Sequence, residues 1–465
     1  MNFLIILFSF FISFVATATD TTTFAYDQMG LEIQRLLPGQ VQQTTTRDAL
    51  GRPTEQLTGH ASKRQRSRKY NWTTSNRLTQ IIDSATGTTN FDYNKEGYLT
   101  QAKYADGTTT NRYPDAKGNL YEDANLKDRE YAHGGKLVKK GSWHYKYNHQ
   151  GFLTTKYKKV GRIFSIKEEE WNYEWNTAGL LEKVYRPDGA VVSFGYDALG
   201  RRIFKHYKQT FTNFVWDGNV PLHEFKTFTS KDALTNDVIT WLFEEDSFSP
   251  IAKIKNDKHY SIVNDHLGTP IEGYDDTGAL IWERQLNANG KIITQKGIEN
   301  FCPFLYQGQT LDNEIELAYN RFRYYDVEDG RYISQDPIGL LSGEFGFYNY
   351  VEDTNDWLDV FGLMPRFSNA VKDEIIKENS EHFNTNKCEQ CKQNVIKPKK
   401  SKRGIKPPKN EWQIDHIDPD SLGGSNKGEN GQLLCRRCNR KKSNKNNFNF
   451  KKKNRENRKR KGYRK

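Results

Sequence analysis

The chain has 465 residues, 35% of them hydrophobic and 13% aromatic, with a formal net charge of +12. Its 27 Phe, 25 Tyr and 9 Trp exclude a mostly disordered chain, and five Cys in that length exclude a disulfide scaffold. The charge is lopsided: residues 364–465 hold 29 Lys and Arg against 11 Asp and Glu, whereas 1–363 hold 41 against 47. This points to a C-terminal module with a polyanionic partner, behind a body with a different task.

Phe3 to Val15 is apolar apart from Ser9 and Ser13, and Ala16-Thr17-Ala18 follows with small residues. The run falls short of the ~20 residues that a membrane-spanning helix needs. It suits the apolar segment of a cleaved export signal, so residues 1–18 form a candidate signal peptide, although no Lys or Arg precedes the run. The same stretch also fits a start inside a longer gene. No other run is long enough for a stable membrane span.

A short unit then recurs: Asp or Asn, two residues, Gly. It begins at Asp27, Asp48, Asn94, Asp115, Asn148, Asn176 and Asp197, and a spacing of 21 residues appears three times. The flanks alternate apolar and polar, which predicts strands with one buried face. Asp or Asn followed by Gly predicts a tight turn, because Asx side chains bond the nearby backbone and Gly accepts positive φ. Hairpins in series predict a long antiparallel sheet over 19–300.

These units resemble the YD repeats of RHS proteins. The likeness strengthens through "FVWDGNVPLHE" (214–224) and "NDHLGTPIEGYDDTGALIW" (264–282). It is strongest in "YQGQTLDNEIELAYNRFRYYDVEDGRYISQDPIGL" (306–340), which looks like the RHS-associated core, placed here at 301–363. The resemblance implies a hollow β shell around a C-terminal toxin. It also implies autoproteolysis by two D-P-x-G segments, matched here by Asp336-Pro337-Ile338-Gly339 and Asp359-Val360-Phe361-Gly362. Val360 stands where the family has Pro. The implied cut lies between Leu363 and Met364. Two close carboxylates can share a proton, one acting as acid while the other activates water. Read from the residues alone, the same two aspartates could simply cap turns.

Composition changes at 364–366. Residues 364–387 read as a linker with a short amphipathic helix at 369–379. The last segment, 388–465, carries Cys388-x-x-Cys391 and Cys435-x-x-Cys438. Two such pairs supply four thiolates for one tetrahedral Zn²⁺, the alternative being two redox dithiols. Cys302, the odd one, is expected in the core. Between the pairs, Trp412-Gln413-Ile414-Asp415-His416 reads as a short strand and 420–424 as a loop. Residues 430–445 pass from a strand into a helix at or just after Cys435.

This segment is similar to the HNH nuclease superfamily, of ββα-metal fold and of the zinc-bearing type seen in phage endonuclease VII. Overall the chain is expected to be mainly β, an antiparallel YD-repeat sheet or shell, followed by this small α+β domain. The resemblance implies His416 as general base, Asp415 and Asn439 as ligands of a catalytic Mg²⁺ or other divalent cation, and Asn430 as the residue that holds the loop. Neutral imidazole suits the first role near pH 7, and oxygen donors suit a hard cation. Arg436, Arg437, Arg440, Lys441 and Lys442 are expected to contact DNA phosphates, helped by the basic stretches 397–409 and 451–465.

Taken together, the resemblances imply an RHS-type interbacterial toxin with a DNase domain, secreted or delivered and acting in the target-cell cytoplasm. They imply a cognate immunity protein and a secretion-system or shell partner. Two other readings stay open: a YD-repeat adhesion protein with a non-catalytic zinc module that binds DNA, and an RNase toxin.

Overall fold

The structure is a computed structural model. It describes residues 14–16, 21–27, 31–60, 65–160, 166–229, 237–245, 247–339, 346–363, 369–397, 408–417 and 430–442. Among them, ten strands (β1–β10, 14–111) form one antiparallel sheet and a two-stranded ribbon follows (β11–β12, 113–121). Sixteen more strands (β13–β28, 129–297) form a second sheet. Within both sheets every strand pairs with its sequence neighbours, so the body is a continuous meander. Within the candidate signal segment, Phe14–Ala16 pair as β1 with Thr21–Thr23; the rest of 1–20 lies outside the described residues. No helix among the described residues is long and apolar enough to cross a membrane.

The repeat unit is a single turn used again and again. In all seven units the Asx side-chain oxygen accepts the N–H of the residue four positions on, as from Arg52 to Asp48 (3.1 Å), Leu180 to Asn176 (3.0 Å) and Arg201 to Asp197 (2.9 Å). In the six units whose Gly is described, its amide bonds the Asx carbonyl, which places Gly200 at φ 73°, where a Cβ would be strained. The sequence reading missed three further copies, at Asp265, Asp275 and Asn287.

Where an aromatic residue precedes the turn, it has its own task. The ladder bulges there, at Tyr93, Trp175, Tyr196 and Trp216. The polar tip of each ring bonds a carbonyl on the previous strand: Tyr93 to Leu78 (2.8 Å), Trp175 to Leu153 (2.7 Å), Tyr196 to Leu181 (2.7 Å) and Trp216 to Arg202 (2.8 Å). The ring thus adds apolar area and ties neighbouring strand ends together. Asn176→Ala should remove the side-chain acceptor for two backbone N–H groups and cost about 1–2 kcal/mol. Urea denaturation of the full chain measures that loss.

The segment after the second sheet packs against one face of it. It contains β29 (Thr310–Asp312), β30 (Leu317–Asn320), β31 (Arg323–Asp326) and β32 (Arg331–Tyr332). Ile315, Leu317, Tyr319, Tyr324 and Ile333 join Leu137, Tyr145, Leu153, Trp171, Leu181 and Phe194 in one apolar cluster. Buried ion pairs pin the same contact. Arg202 pairs with Asp312 and lies over the Tyr319 ring at 4.5 Å, and Lys205 reaches Asp312 at 3.0 Å. Lys156 meets Asp326 at 3.0 Å, and Lys140 meets Asp329 at 3.1 Å. The first sheet closes onto the end of the second, where Arg66 reaches Glu272 and Glu283, both at 2.9 Å. Cys302 is buried with Trp241, Ile262, Trp282, Phe301 and Phe304, as its oddness predicted.

Helix α1 (Asn369–Phe383) is longer than the expected 369–379. It packs on β34 (Gly431–Cys435), which pairs antiparallel with β33 (Trp412–His416). Helix α2 (Arg436–Lys442) starts directly after β34. Asn379 of α1 bonds the Lys387 carbonyl (3.0 Å) and the Glu389 carboxylate (3.2 Å), so the predicted linker region is fastened to the cysteine module.

Candidate functional site

The four cysteines come together. The Sγ atoms of Cys388, Cys391, Cys435 and Cys438 all lie within 4.8 Å of one another, and Cys391 and Cys435 are 3.7 Å apart. A disulfide would need ~2.05 Å. Four sulfurs at ~2.3 Å from a tetrahedral Zn²⁺ stand about 3.8 Å apart, so this set fits that ion. In each C-x-x-C turn the second cysteine's amide donates to the first sulfur, Cys391 to Cys388 at 3.5 Å and Cys438 to Cys435 at 3.4 Å. Such donors stabilise a thiolate. Glu389, inside the first turn, accepts the Leu433 amide at 3.0 Å and so fastens the turn to β34.

The D-H pair ends β33. Asp415 stands opposite Gln432 and His416 opposite Gly431. Side chains alternate along a strand, so Gln413 and Asp415 share one face. On that face Gln432 Nε2 donates to Asp415 Oδ2 (3.4 Å), and Asn439, on α2, donates to Gln413 Oε1 (2.9 Å). The fold therefore lays a carboxylate and three amides along one face, a set of oxygen donors that suits a hard divalent cation. Gln413 and Gln432 carried no sequence signal beyond strand alternation. Asn430 is buried, and its carbonyl accepts the Ile417 amide at 2.6 Å, which closes the mouth of the loop.

The side chains of His416, Arg440, Lys441 and Lys442 lie outside the described residues, as do the loop at 420–424, most of 397–409 and all of 451–465. Arg436 does not stand free toward a polyanion: it pairs with Glu411 at 3.1 Å, and its amide bonds the Glu411 carbonyl. Arg437 is exposed.

The two D-x-x-G aspartates also meet. Asp336 and Asp359 are buried, and Arg323 Nη2 bridges them, at 3.3 Å from Asp336 Oδ2 and 3.1 Å from Asp359 Oδ2. Both segments are the repeat turn in new use. Gly339 donates to the Asp336 carbonyl (2.9 Å), and Leu363 donates to Asp359 Oδ1 (2.9 Å), as the residue four positions on does throughout the body. Gly362 sits at φ 65°, so Val360 in place of Pro leaves this turn formed. Arg323 Nε also bonds the Gly362 carbonyl, and Phe322 donates to the Phe361 carbonyl (3.2 Å), which ties the turn before Leu363 to the start of β31.

Burial pushes the Asp359 carboxyl up from its ordinary range. Arg323, the Tyr332 hydroxyl and the Leu363 amide pull against that shift, and the nearby Asp336 charge adds to it. Arg323, Tyr332 and Asn320 all lie in the 306–340 stretch, but no spacing singles them out. Met364 lies outside the described residues.

Comparison with known proteins places these features. The Teneurin YD-shell family model matches residues 68–342, and the HNH endonuclease family model matches 388–445. The chain is 28% identical over 379 residues to double-stranded DNA deaminase toxin A of Burkholderia cenocepacia, covering 73% of this chain and 26% of that one. It is 26% identical over 397 residues to the probable deoxyribonuclease RhsA of Dickeya dadantii, covering 78% and 27%. It thus spans about a quarter of the length of these curated relatives. A Tc holotoxin pore structure from Photorhabdus luminescens aligns at 15% identity and a TM-score of 0.46, over 75% of this chain and 19% of that one. With its meander of Asx-turn hairpins matched from 68 to 342 and its four-cysteine ββα module matched from 388 to 445, the chain belongs to the Teneurin YD-shell family, as an RHS/YD-repeat protein carrying a C-terminal HNH endonuclease domain.

Proposed function

We propose that this chain is a toxin of RHS type whose HNH domain hydrolyses phosphodiester bonds in DNA. The observation that carries this is the single face of β33 where Asp415, Gln413, Gln432 and Asn439 converge, next to His416 at the strand end. A purely structural zinc module has no need of a carboxylate and three amides on one face of this strand. His416, in its neutral form, takes the proton from the attacking water. Asp415 and Asn439 would hold the divalent cation, with Gln413 and Gln432 fixing their orientation; when bound, it would supply Lewis-acid stabilisation of the charge that develops in phosphodiester hydrolysis. The four cysteines hold Zn²⁺ as a staple, apart from the chemistry.

The names of the relatives favour DNA over RNA. Arg437 and the basic stretches bind phosphates without reading sequence. Such a cargo calls for an immunity protein with an acidic face in the producing cell, and for a delivery partner that carries it into the target cytoplasm.

The paired aspartates support self-cleavage after Leu363. Water adds to the Leu363 carbonyl and the bond to the Met364 nitrogen breaks. The water oxygen stays on the new Leu363 carboxyl, and a proton passes to the departing amine. One aspartate accepts the water proton while the other, protonated, donates.

The full chain, loaded with Zn²⁺, is expected to linearise and degrade plasmid in Mg²⁺ and to stop when Mg²⁺ is withheld. His416→Ala is expected to lower the rate by roughly 10²–10⁴-fold with the fold intact. DNA binding without cutting, or cutting of RNA alone, would overturn the DNase reading in favour of the binding-module or RNase reading.

A further inference from the structure

We propose that Asn320 and Tyr332 form a directed hydrogen-bond relay that sets Asp359 for self-cleavage; this rests on the self-cleavage reading above. Tyr332 Oη lies 2.7 Å from Asp359 Oδ2, and Asn320 Nδ2 lies 2.7 Å from Tyr332 Oη and 2.8 Å from the Asp359 carbonyl oxygen. All three residues are fully buried.

The direction of the relay follows from what each group can do. The Asp359 carbonyl only accepts, so the Asn320 atom facing it is the amide nitrogen. That nitrogen also faces the Tyr332 oxygen and occupies it as an acceptor. The single Tyr332 hydrogen therefore goes to Asp359. The ring is fixed as well: Arg323 stacks on it at 3.6 Å, and Tyr325 and Tyr350 both pack edge-on against it.

Asp359 is thus held by three donors on two oxygens: the Leu363 amide on Oδ1, and Tyr332 with Arg323 on Oδ2. The Leu363 contact aligns the carboxylate with the residue that carries the scissile carbonyl. The Tyr332 contact stops the carboxylate from rotating and stabilises its ionised form. The charged and titratable groups that face Asp359 are Arg323, Tyr332, Tyr350 and Asp336. Tyr332 and Asn320 are positioning residues, since neither reaches the bond that breaks.

The test follows the full chain made by cell-free translation, with intact-mass detection of the two fragments over pH 4–8. The wild type is expected to cut after Leu363, and Asp359→Asn to remain whole. Tyr332→Phe keeps the ring and its stack on Arg323 but loses the donor. It is expected to cut on the order of 10–100-fold more slowly. Its pH–rate limb governed by Asp359 should move to higher pH, because the ionised carboxylate has lost a hydrogen bond. Asn320→Ser, which leaves Tyr332 in place but undirected, is expected to change rate and pH limb in the same sense by less. Trypsin resistance reports whether each variant folds. If the wild type cuts and Asp359→Asn does not, while folded Tyr332→Phe or Asn320→Ser keeps the wild-type rate and pH profile, the relay is overturned and self-cleavage stands. If the wild type stays whole, or Asp359→Asn cuts as fast as the wild type, the self-cleavage reading falls and takes the relay with it.

Discussion

Removing the metal from the four-cysteine site is expected to unfold the C-terminal module and leave the β body folded. The module's apolar cluster consists of Cys388, Val395, Leu433, Leu434, Cys435 and Cys438, with Ile376, Trp412 and Ile414 packed beside it. Three of its six buried members are themselves thiols of the metal site. What remains is a two-stranded ribbon and two helices, too little core to offset the chain entropy of ordering them. Metal binding is then most of the folding free energy, about 10–16 kcal/mol for structural zinc in small modules. Cys435→Ser should act like chelator, because Cys435 ends β34, begins the link to α2 and contributes to the core at once. Hydrogen exchange on the full chain reads the outcome: 431–442 should lose protection while 137–194 keeps it. Retained protection of β34 and α2 after complete chelation would show that packing alone suffices.

Asp329→Ala is expected to destabilise the body by at least the ~3–5 kcal/mol lost when one partner of a buried ion pair is deleted. The carboxylate is fully enclosed. Lys140 contacts it at 3.1 Å and the Tyr145 hydroxyl at 2.8 Å, and Lys140 and Tyr145 belong to the large sheet while Asp329 belongs to the packed segment. Burial alone would push this carboxyl up, but Lys156, Lys140 and Arg129 together pull it well below the usual carboxylate range. Its removal leaves Lys156 to Asp326 and both Lys140 and Arg129 to the half-exposed Glu122. The sign of the pH dependence follows. A depressed folded pKa contributes stability that is complete above the unfolded value of ~3.9 and is lost as pH falls below it toward the folded value. The wild type should therefore hold its stability at pH 5 and lose it steeply below about pH 4. Asp329→Asn should flatten that acid limb. Urea midpoints measured from pH 3 to 7 decide the matter, and an unchanged acid limb in the variant would assign the loss to other carboxylates.

Much of this molecule was legible beforehand because its code is local. An Asx side chain, two residues and a Gly make a turn wherever they occur, and alternating flanks give strands on both sides. Three copies were passed over, at Asp265, Asp275 and Asn287, although the same local rule applies there. The cysteine pairs were equally readable, since two C-x-x-C turns have few uses besides a metal. The helix at 369–383 outran its expected end because its inner face packs on β34, a contact that periodicity does not report.

The two aspartates show where local reading stops. As sequence, Asp336 and Asp359 could be turn caps or a catalytic pair; in the structure each closes the repeat turn, and Arg323 draws the two to one point. What the sequence determined by itself is every feature whose partners lie within a few residues: the turns, the strands, the cysteine knuckles and the charge asymmetry of the last hundred residues. What only the tertiary structure decided is which buried cation meets which buried carboxylate. Arg202 finds Asp312, Arg323 finds both aspartates, and Asn320 directs Tyr332. These pairings depend on two distant faces closing together and excluding water. Charges worth little at the surface then become strongly coupled, and no local spacing encodes which faces will close.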